Sequence, residues 1–228
     1  MTQHRLVTTL AAFAVTISGF LVACSTGEEA PANSPTPQSA SISASDLPNL
    51  VLDVGEVSVD GTMLPLDPED SGPQSKSDQS EGIDPYRMAA TLEKYNWQAA
   101  YYQDFGTGAQ DSPVFNASVM LDLHDTPENA AAALAERMDL AATWEGRTYE
   151  GATAESVELF DVAEFNAKGM RMKVRLTDGT SFTMTNIDFV RGPMIVDVGT
   201  ASLDDRDLVP ATLELARLAN ARLIAAGI

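Results

Sequence analysis

Between Lys168 and Thr185 the chain alternates so regularly that only one hairpin register separates its charged side chains from its apolar ones. A two-residue loop at Asp178-Gly179 would set Lys173 opposite Met184 and Arg175 opposite Phe182, mixing charge and core on one face. A three-residue loop with Gly179 in the left-handed region sets Val174 opposite Phe182 and Met172 opposite Met184. Arg171, Lys173 and Arg175 then oppose Thr185, Thr183 and Ser181. A one-residue slip moves every side chain to the other face, so the sorted register is the one predicted. A hairpin of this kind commits the chain to an antiparallel sheet.

The remaining patterns extend that sheet. Val114 to Leu123 alternates cleanly, with Phe115, Ala117, Val119, Leu121 and Leu123 on one side and Asn116, Ser118, Met120 and Asp122 on the other. Trp97 to Phe105 reads as an aromatic-rich strand, and further strands are expected near Val57–Leu66, Ser156–Phe165, Gly169–Leu176, Thr180–Phe189 and Met194–Thr200. Asp67 to Gly82 reads as a polar loop. Helices are expected after Asp84-Pro85, from Asp125-Thr126-Pro127-Glu128 to about Trp144, and from about Asp207 to Ala226, the last largely buried. The expected class is α+β: one domain over 46–228, with a mainly antiparallel sheet of six to seven strands flanked by about three helices. The apolar fraction of 44% and charged fraction of 21% suit a globular chain.

The N-terminus is of a different kind. His4 and Arg5 precede an uncharged, mostly apolar run from Leu6 to Ala23, the h-region expected of a secretory signal peptide. It ends in Leu21-Val22-Ala23-Cys24, and here the chain resembles bacterial lipoprotein precursors with their lipobox. The resemblance implies a signal peptide over 1–23, cleavage before Cys24 and lipidation of Cys24, the only cysteine of the chain. Residues 24–45 are then the acylated anchor point and a disordered tether, mostly Ser, Thr, Pro, Ala and Gly. As a flexible coil the tether would reach about 25 Å. The implied partner is the lipid bilayer, through acylated Cys24, at the extracytoplasmic face of the cell membrane or outer membrane. The formal net charge of −19 becomes one unit more negative when Arg5 is removed, so the domain is repelled by anionic headgroups. The same charge excludes nucleic acid as a partner.

Leu47-Pro48 after the tether, Asp84-Pro85 opening the first helix, the Ala-rich helix start at Glu128–Leu134 and the strand-rich block before a terminal Ala/Leu helix give an element order that resembles PsbP-like lipoprotein domains. That resemblance implies an extracytoplasmic binding or accessory module.

Signals for chemistry are sparse. No phosphate-binding glycine loop, nucleophile elbow or zinc motif is present, and no cofactor is expected. His124 is the one histidine beyond the signal peptide and reads as a surface or cap residue. Asp67, Glu69, Ser71 and Asp78 fall at positions 1, 3, 5 and 12 of a calcium-loop spacing, yet position 12 is Asp and neither flank reads as a helix. A solvated acidic loop yields the same spacing and is preferred. Asn186, Asp188 and Asp197 form a second candidate. Continued alternation from Phe182 and Met184 puts Asn186 and Asp188 on the core face, with Asp197 opposite Asn186. A bulge near Thr185–Ile187 would instead bury Ile187 and Phe189 and turn the polar residues out, and is preferred for that reason. Arg171, Lys173 and Arg175 form a basic stripe that could receive an anionic ligand or acidic partner, or be paired by acids such as Glu158 and Glu164. Trp97 and Tyr101, with Tyr102 and Phe105, could line a pocket or belong to the core.

The function expected from these features is a non-catalytic, lipid-anchored binding or accessory protein of the bacterial envelope, taking a small ligand or an envelope protein. The alternatives are a structural subunit of an envelope complex and a hydrolase using Asp188 with Asp197.

Overall fold

The Lys168–Thr185 hairpin forms in the sorted register: Val174 pairs with Phe182, Met172 with Met184, Lys173 with Thr183 and Arg171 with Thr185. Gly179 has φ +89°, and the three-residue loop is closed by the Leu176 amide donating to the Thr180 carbonyl at 2.8 Å. Gly179→Ala is expected to cost about 1 kcal/mol, because an L side chain is strained at that φ while open space surrounds it; urea unfolding will read this.

The computed structural model describes residues 42–228 except 54, 60, 81–84 and 107–113. The residues expected as signal peptide, Cys24 and most of the expected tether therefore lie outside the described residues, as does Asp84, the expected helix cap. Ile42 packs against the core and the Ser43 amide donates to Asp46, so the last residues of the stretch expected as tether belong to the folded domain.

The class is α+β as expected. A small hairpin pairs β1 (Ser58–Val59) with β2 (Thr62–Met63) where one longer strand was expected. The main sheet has eight strands, all neighbours antiparallel: β3 (Leu66–Gln74), β4 (Trp97–Gly106), β5 (Val114–His124), β6 (Thr148–Tyr149), β7 (Ala152–Val162), β8 (Ala167–Leu176), β9 (Ser181–Arg191) and β10 (Met194–Ser202). Their spatial order is β3-β4-β5-β10-β9-β8-β7-β6, so the last strand lies inside the sheet, between β5 and β9.

Four described α-helices cover the sheet: α1 (Lys76–Ser80), α2 (Pro85–Lys94), α3 (Pro127–Ala141) and α4 (Val209–Ala225). α3 starts as its sequence dictates, with the Thr126 hydroxyl accepting from the Asn129 amide at 3.1 Å and Pro127 in the first turn. Two corrections concern the polar segment before α2 and the terminal helix. The expected loop at Asp67–Gly82 is instead the edge strand β3 and the short helix α1, because pairing with β4 satisfies a backbone whose side chains are half exposed. The terminal helix is amphipathic rather than largely buried: Leu215, Ala216, Ala219 and Leu223 face the sheet, while Leu218 and Ile224 are exposed.

Both faces of the sheet are covered, and this settles the polar residues. One face carries Ala117, Val119, Leu121 and Leu123 with Ile187, Phe189, Val196 and Val198 against α4 and the segment Leu47–Leu64. The opposite face, under α3, carries Asn116, Ser118, Met120 and Asp122 on β5, and Asn186 and Asp188 on β9. Strands covered on both sides place polar residues inside the protein wherever they alternate with core.

Candidate functional site

Three strands and one helix bring the polar residues of the second face together. Asp197 on β10 pairs in register with Asp188 on β9 and with Met120 on β5; Asn186 pairs with Gly199, and Asp122 with Ile195. The register of β9 is regular on both sides, so the expected bulge is absent: Ile187 and Phe189 reach the α4 core by simple alternation while Asp188 points under α3. The core-face alternative is the one realised. The expected opposition of Asp197 and Asn186 is corrected to a diagonal contact, with Asn186 Nδ2 donating to Asp197 Oδ1 at 2.9 Å.

Buried carboxylates need a counter-charge, and α3 supplies it. Arg137 reaches down from the helix, its Nη2 donating to Asp122 Oδ2 at 2.7 Å, with Nη1 at 3.6 Å from Asp197 Oδ2 and 4.0 Å from Asp188 Oδ2. Trp97 Nε1 donates to the other Asp122 oxygen at 3.2 Å. Burial works against the guanidinium charge, but the three carboxylates outweigh it and hold its pKa above the ordinary arginine value. Burial, reinforced by the charge of Asp197, raises Asp188 well above the ordinary range. Burial likewise raises Asp197, opposed by Arg137. The facing pair therefore retains a proton under conditions where an exposed aspartate has lost it.

Beside this network lies a narrow cleft with room of about 30 Å³ for water-sized occupants. Its polar lining is Tyr102, Asn116, Ser118, Asn186 and Asp197, and its apolar lining includes Phe115, Phe182 and Met184. Phe115 and Phe182 meet edge to face at 5.8 Å. Gly199 is in the floor: a methyl group there would lie 2.8 Å from Ser118 Oγ and 3.2 Å from Asn186 Nδ2. Asn186 Oδ1 is buried and accepts no hydrogen bond from the described residues. A larger groove of about 600 Å³ runs past Ile42, His124 and Ile228. There His124 is buried, against expectation, with Nδ1 2.8 Å from the Tyr95 carbonyl oxygen, and burial lowers its pKa.

The remaining expected site residues are dispersed. Arg171 pairs with Asp207, Lys173 with Asp205 at 2.9 Å, and Arg175 with Glu155, so acids of the loop before α4 and of β7 cover the basic stripe. Glu158 does stand opposite Arg171 in the β7–β8 ladder, while Glu164 pairs with Arg217 instead. Tyr101 packs on the α4 face, away from the cleft; its neighbour Tyr102 is the one that lines it.

Of the calcium-type spacing, Glu69 is exposed and its amide donates to Asp67. Asp78 caps α1 by accepting from the Ser75 amide at 2.7 Å, and the Ser71 hydroxyl accepts from the Asp104 amide. The structure groups Asp67 with Asp70 and Asp104 instead, their carboxylate oxygens within 4.8 Å of one another. Asp104 accepts from Asn116 Nδ2 at 2.5 Å and from the Tyr102 hydroxyl at 3.2 Å. Burial, with Asp70 and Asp67 adding to it, pushes its carboxyl up to about 6 despite those two hydrogen bonds. Asp104 and Arg137 were missed by sequence reasoning, whereas Tyr102 belongs to the aromatic strand expected to line a pocket or the core. The available signal was the polar side of β5, which had to be covered by something once both sheet faces carried core.

No family model matches the chain, and no curated protein matches it. Among solved structures it is similar to the extracellular domain of PknH from Mycobacterium tuberculosis, with a TM-score of 0.57 and 12% identity over 81% of this chain and 98% of that one. The likeness is one of fold. A Pseudomonas aeruginosa protein of unknown function aligns over 56% of this chain and 82% of its own at 14% identity, with a TM-score of only 0.28.

Proposed function

We propose that this chain is a lipid-anchored, extracytoplasmic binding module of the bacterial envelope and that the cleft floored by Gly199 is its ligand site. The observation that carries the reading is an open cleft with a polar wall, one of whose lining residues, Asn186, has a buried Oδ1 with no partner among the described residues. Buried polar atoms are normally satisfied, so an unpartnered one on a residue that lines a cleft points to a hydrogen bond that a ligand completes. The apolar run ending at Cys24 supports the anchor. The fold shared with the extracellular PknH domain, and the element order resembling PsbP-like domains, support an address outside the cytoplasm. A non-catalytic role fits the position of Arg137, which engages the very carboxylates that a hydrolase would have to keep available.

The test uses the full chain taken from the membrane fraction, from which Cys24→Ser is expected to be lost. Thermal unfolding is followed against a panel of small amines, polyols and carboxylates, since a ligand of the native state raises Tm by mass action. A rise in the wild type that is absent in Gly199→Ala supports the cleft. Gly199 has no positive φ, so alanine fills the floor at the expense of a Ser118 rotamer and a small shift of the Asn186 amide. A rise retained in Gly199→Ala, or no rise with any compound, overturns the assignment.

A further inference from the structure

We propose that the outer edge of β7 is a docking strand for an extended segment of another protein, one in which basic and apolar residues alternate. The inference is independent of the cleft.

The unpaired backbone of the edge carries it. β6 covers only Ala152 and Thr153, and the turn before it reaches one residue further, with the Ala154 amide donating to the Arg147 carbonyl at 3.0 Å. From Glu155 to Val162 no described strand lies beyond β7. Residues of an antiparallel strand turn their backbone groups to alternate neighbours, so the groups left over can be named. The Leu176 amide donates to Thr180 on the β9 side, which by alternation turns Arg171 and Gly169 toward β7. Their register partners Glu158 and Phe160 therefore face β8. Val157, Leu159 and Asp161 are left with amides and carbonyls directed outward, the spacing that an added strand requires.

The edge is already held in place. The Phe160 ring packs against the α4-side core and lies over Gly169, which has no Cβ to displace it. Leu159 points to the other face and is 36% exposed, beside Met170 at the rim of the second core.

Side chains and charge select the occupant. One face of the edge offers Val157 and Leu159, the other Ser156 and Glu158, both exposed, and Glu158 makes no ion pair with a described residue. An added strand sets its own side chains beside these, so it matches when apolar on one face and cationic on the other. Where the cover of β6 ends, the edge opens into a groove of about 510 Å³ whose charged lining is Glu145, Glu155 and Arg175. A second copy of the chain would bring the same acids and a net charge of −19, and is repelled. A basic segment is attracted by the same field.

The experiment measures binding of fluorescent Lys-Val-Lys-Val-Lys-Val-Lys to the full-length protein by anisotropy, with NMR amide exchange read at Val157, Leu159 and Asp161. The comparison peptides are Glu-Val-Glu-Val-Glu-Val-Glu, the block peptide Lys-Lys-Lys-Lys-Val-Val-Val, and the first peptide N-methylated at every residue. The first peptide is expected to bind saturably, at least tenfold more tightly than each of the others, and to slow exchange at all three amides. Leu159→Pro removes an outward amide at an edge position that proline tolerates and should abolish binding, while Glu158→Lys should weaken it about tenfold. Where Leu159→Pro lowers Tm, Glu158→Lys decides. Equal binding of the N-methylated or the block peptide means attraction to bulk charge alone and overturns the docking strand. Equal binding of the glutamate peptide overturns the basic class. A dimer of the full chain that Leu159→Pro dissolves places a second copy on the edge and overturns the partner. Unchanged exchange at the three amides overturns the proposal outright.

Discussion

Arg137→Met is expected to destabilise the protein by about 3–5 kcal/mol at neutral pH, the usual consequence of stripping a buried counter-ion from its partners. The substitution keeps the volume of the side chain and removes the charge that faces Asp122, Asp188 and Asp197. Asp122 is 1% exposed and Asp188 3%, so water cannot replace the guanidinium without opening α3. The sign of the pH dependence follows from the pair's raised pKa values. An acid whose folded pKa exceeds its unfolded one penalises folding above the unfolded pKa, and the penalty disappears as pH falls below it. Without Arg137 that penalty grows. The deficit against wild type should therefore be largest near neutrality and narrow as pH falls toward about 4, where unfolded aspartates protonate. Urea midpoints across that range measure it. A deficit under about 1 kcal/mol at pH 7, or one that widens in acid, would mean that the carboxylates are satisfied by something other than Arg137.

Asp104→Asn is expected to act in the opposite direction and to stabilise the protein at pH 8. The Asp104 carboxyl is pushed up to about 6 from its ordinary 3.8, first by burial and then by Asp70 and Asp67. Folding therefore binds a proton between those values, and stability falls as pH rises through them. Above pH 6 the ionised form penalises the fold by at most roughly 3 kcal/mol, from 1.36 kcal/mol per pKa unit. Asparagine offers one carbonyl oxygen to accept from both Asn116 and Tyr102, and its amide nitrogen can donate to the neighbouring aspartates. Tm should rise at pH 8 and be unchanged near pH 4, where the native aspartic acid is already neutral. A loss of stability at pH 8 would show that the charge of Asp104 is needed by its donors.

How much of this was legible in the sequence depended on what decides each feature. The β8–β9 register is a local matter of sorting charge from core, and it forms as read. The Thr126 cap and Pro127 are equally local. Asn186, Asp188 and Asp197 were recognised as a cluster, but a bulge was preferred because it would bury Ile187 and Phe189. Only the presence of α3 on the other face of β9, with Arg137 reaching from it, reverses the preference, and a long-range partner leaves no trace in the alternation of β9. The loop expected at Asp67–Gly82 failed for a related reason. Its side chains signal exposure, and exposure is what an edge strand has too; the backbone pairing of Leu66 with Phe105 and Gln74 with Ala100 is invisible in composition. The basic stripe was legible as a stripe, but its closure by Asp205 and Asp207 required knowing where the loop before α4 passes.

The place of β10 has a consequence for the order in which the molecule can be assembled. β3-β4-β5 and β6-β7-β8-β9 are two runs of strands adjacent in both sequence and space, each complete before Met194 is made. β10 is the seam between them, pairing Met194 with Arg191 next door and with Leu123 far back in the chain. Until it is delivered, β5 and β9 are both unpaired edges bearing core side chains, open to pairing with any other chain. A chain emerging N-terminus first thus holds two half-sheets and no finished core, and its cooperative transition waits for the last 35 residues. That late seam defers closure of the sheet until its last strand is in place, and it makes loss of that strand the truncation that leaves the most sheet edge exposed.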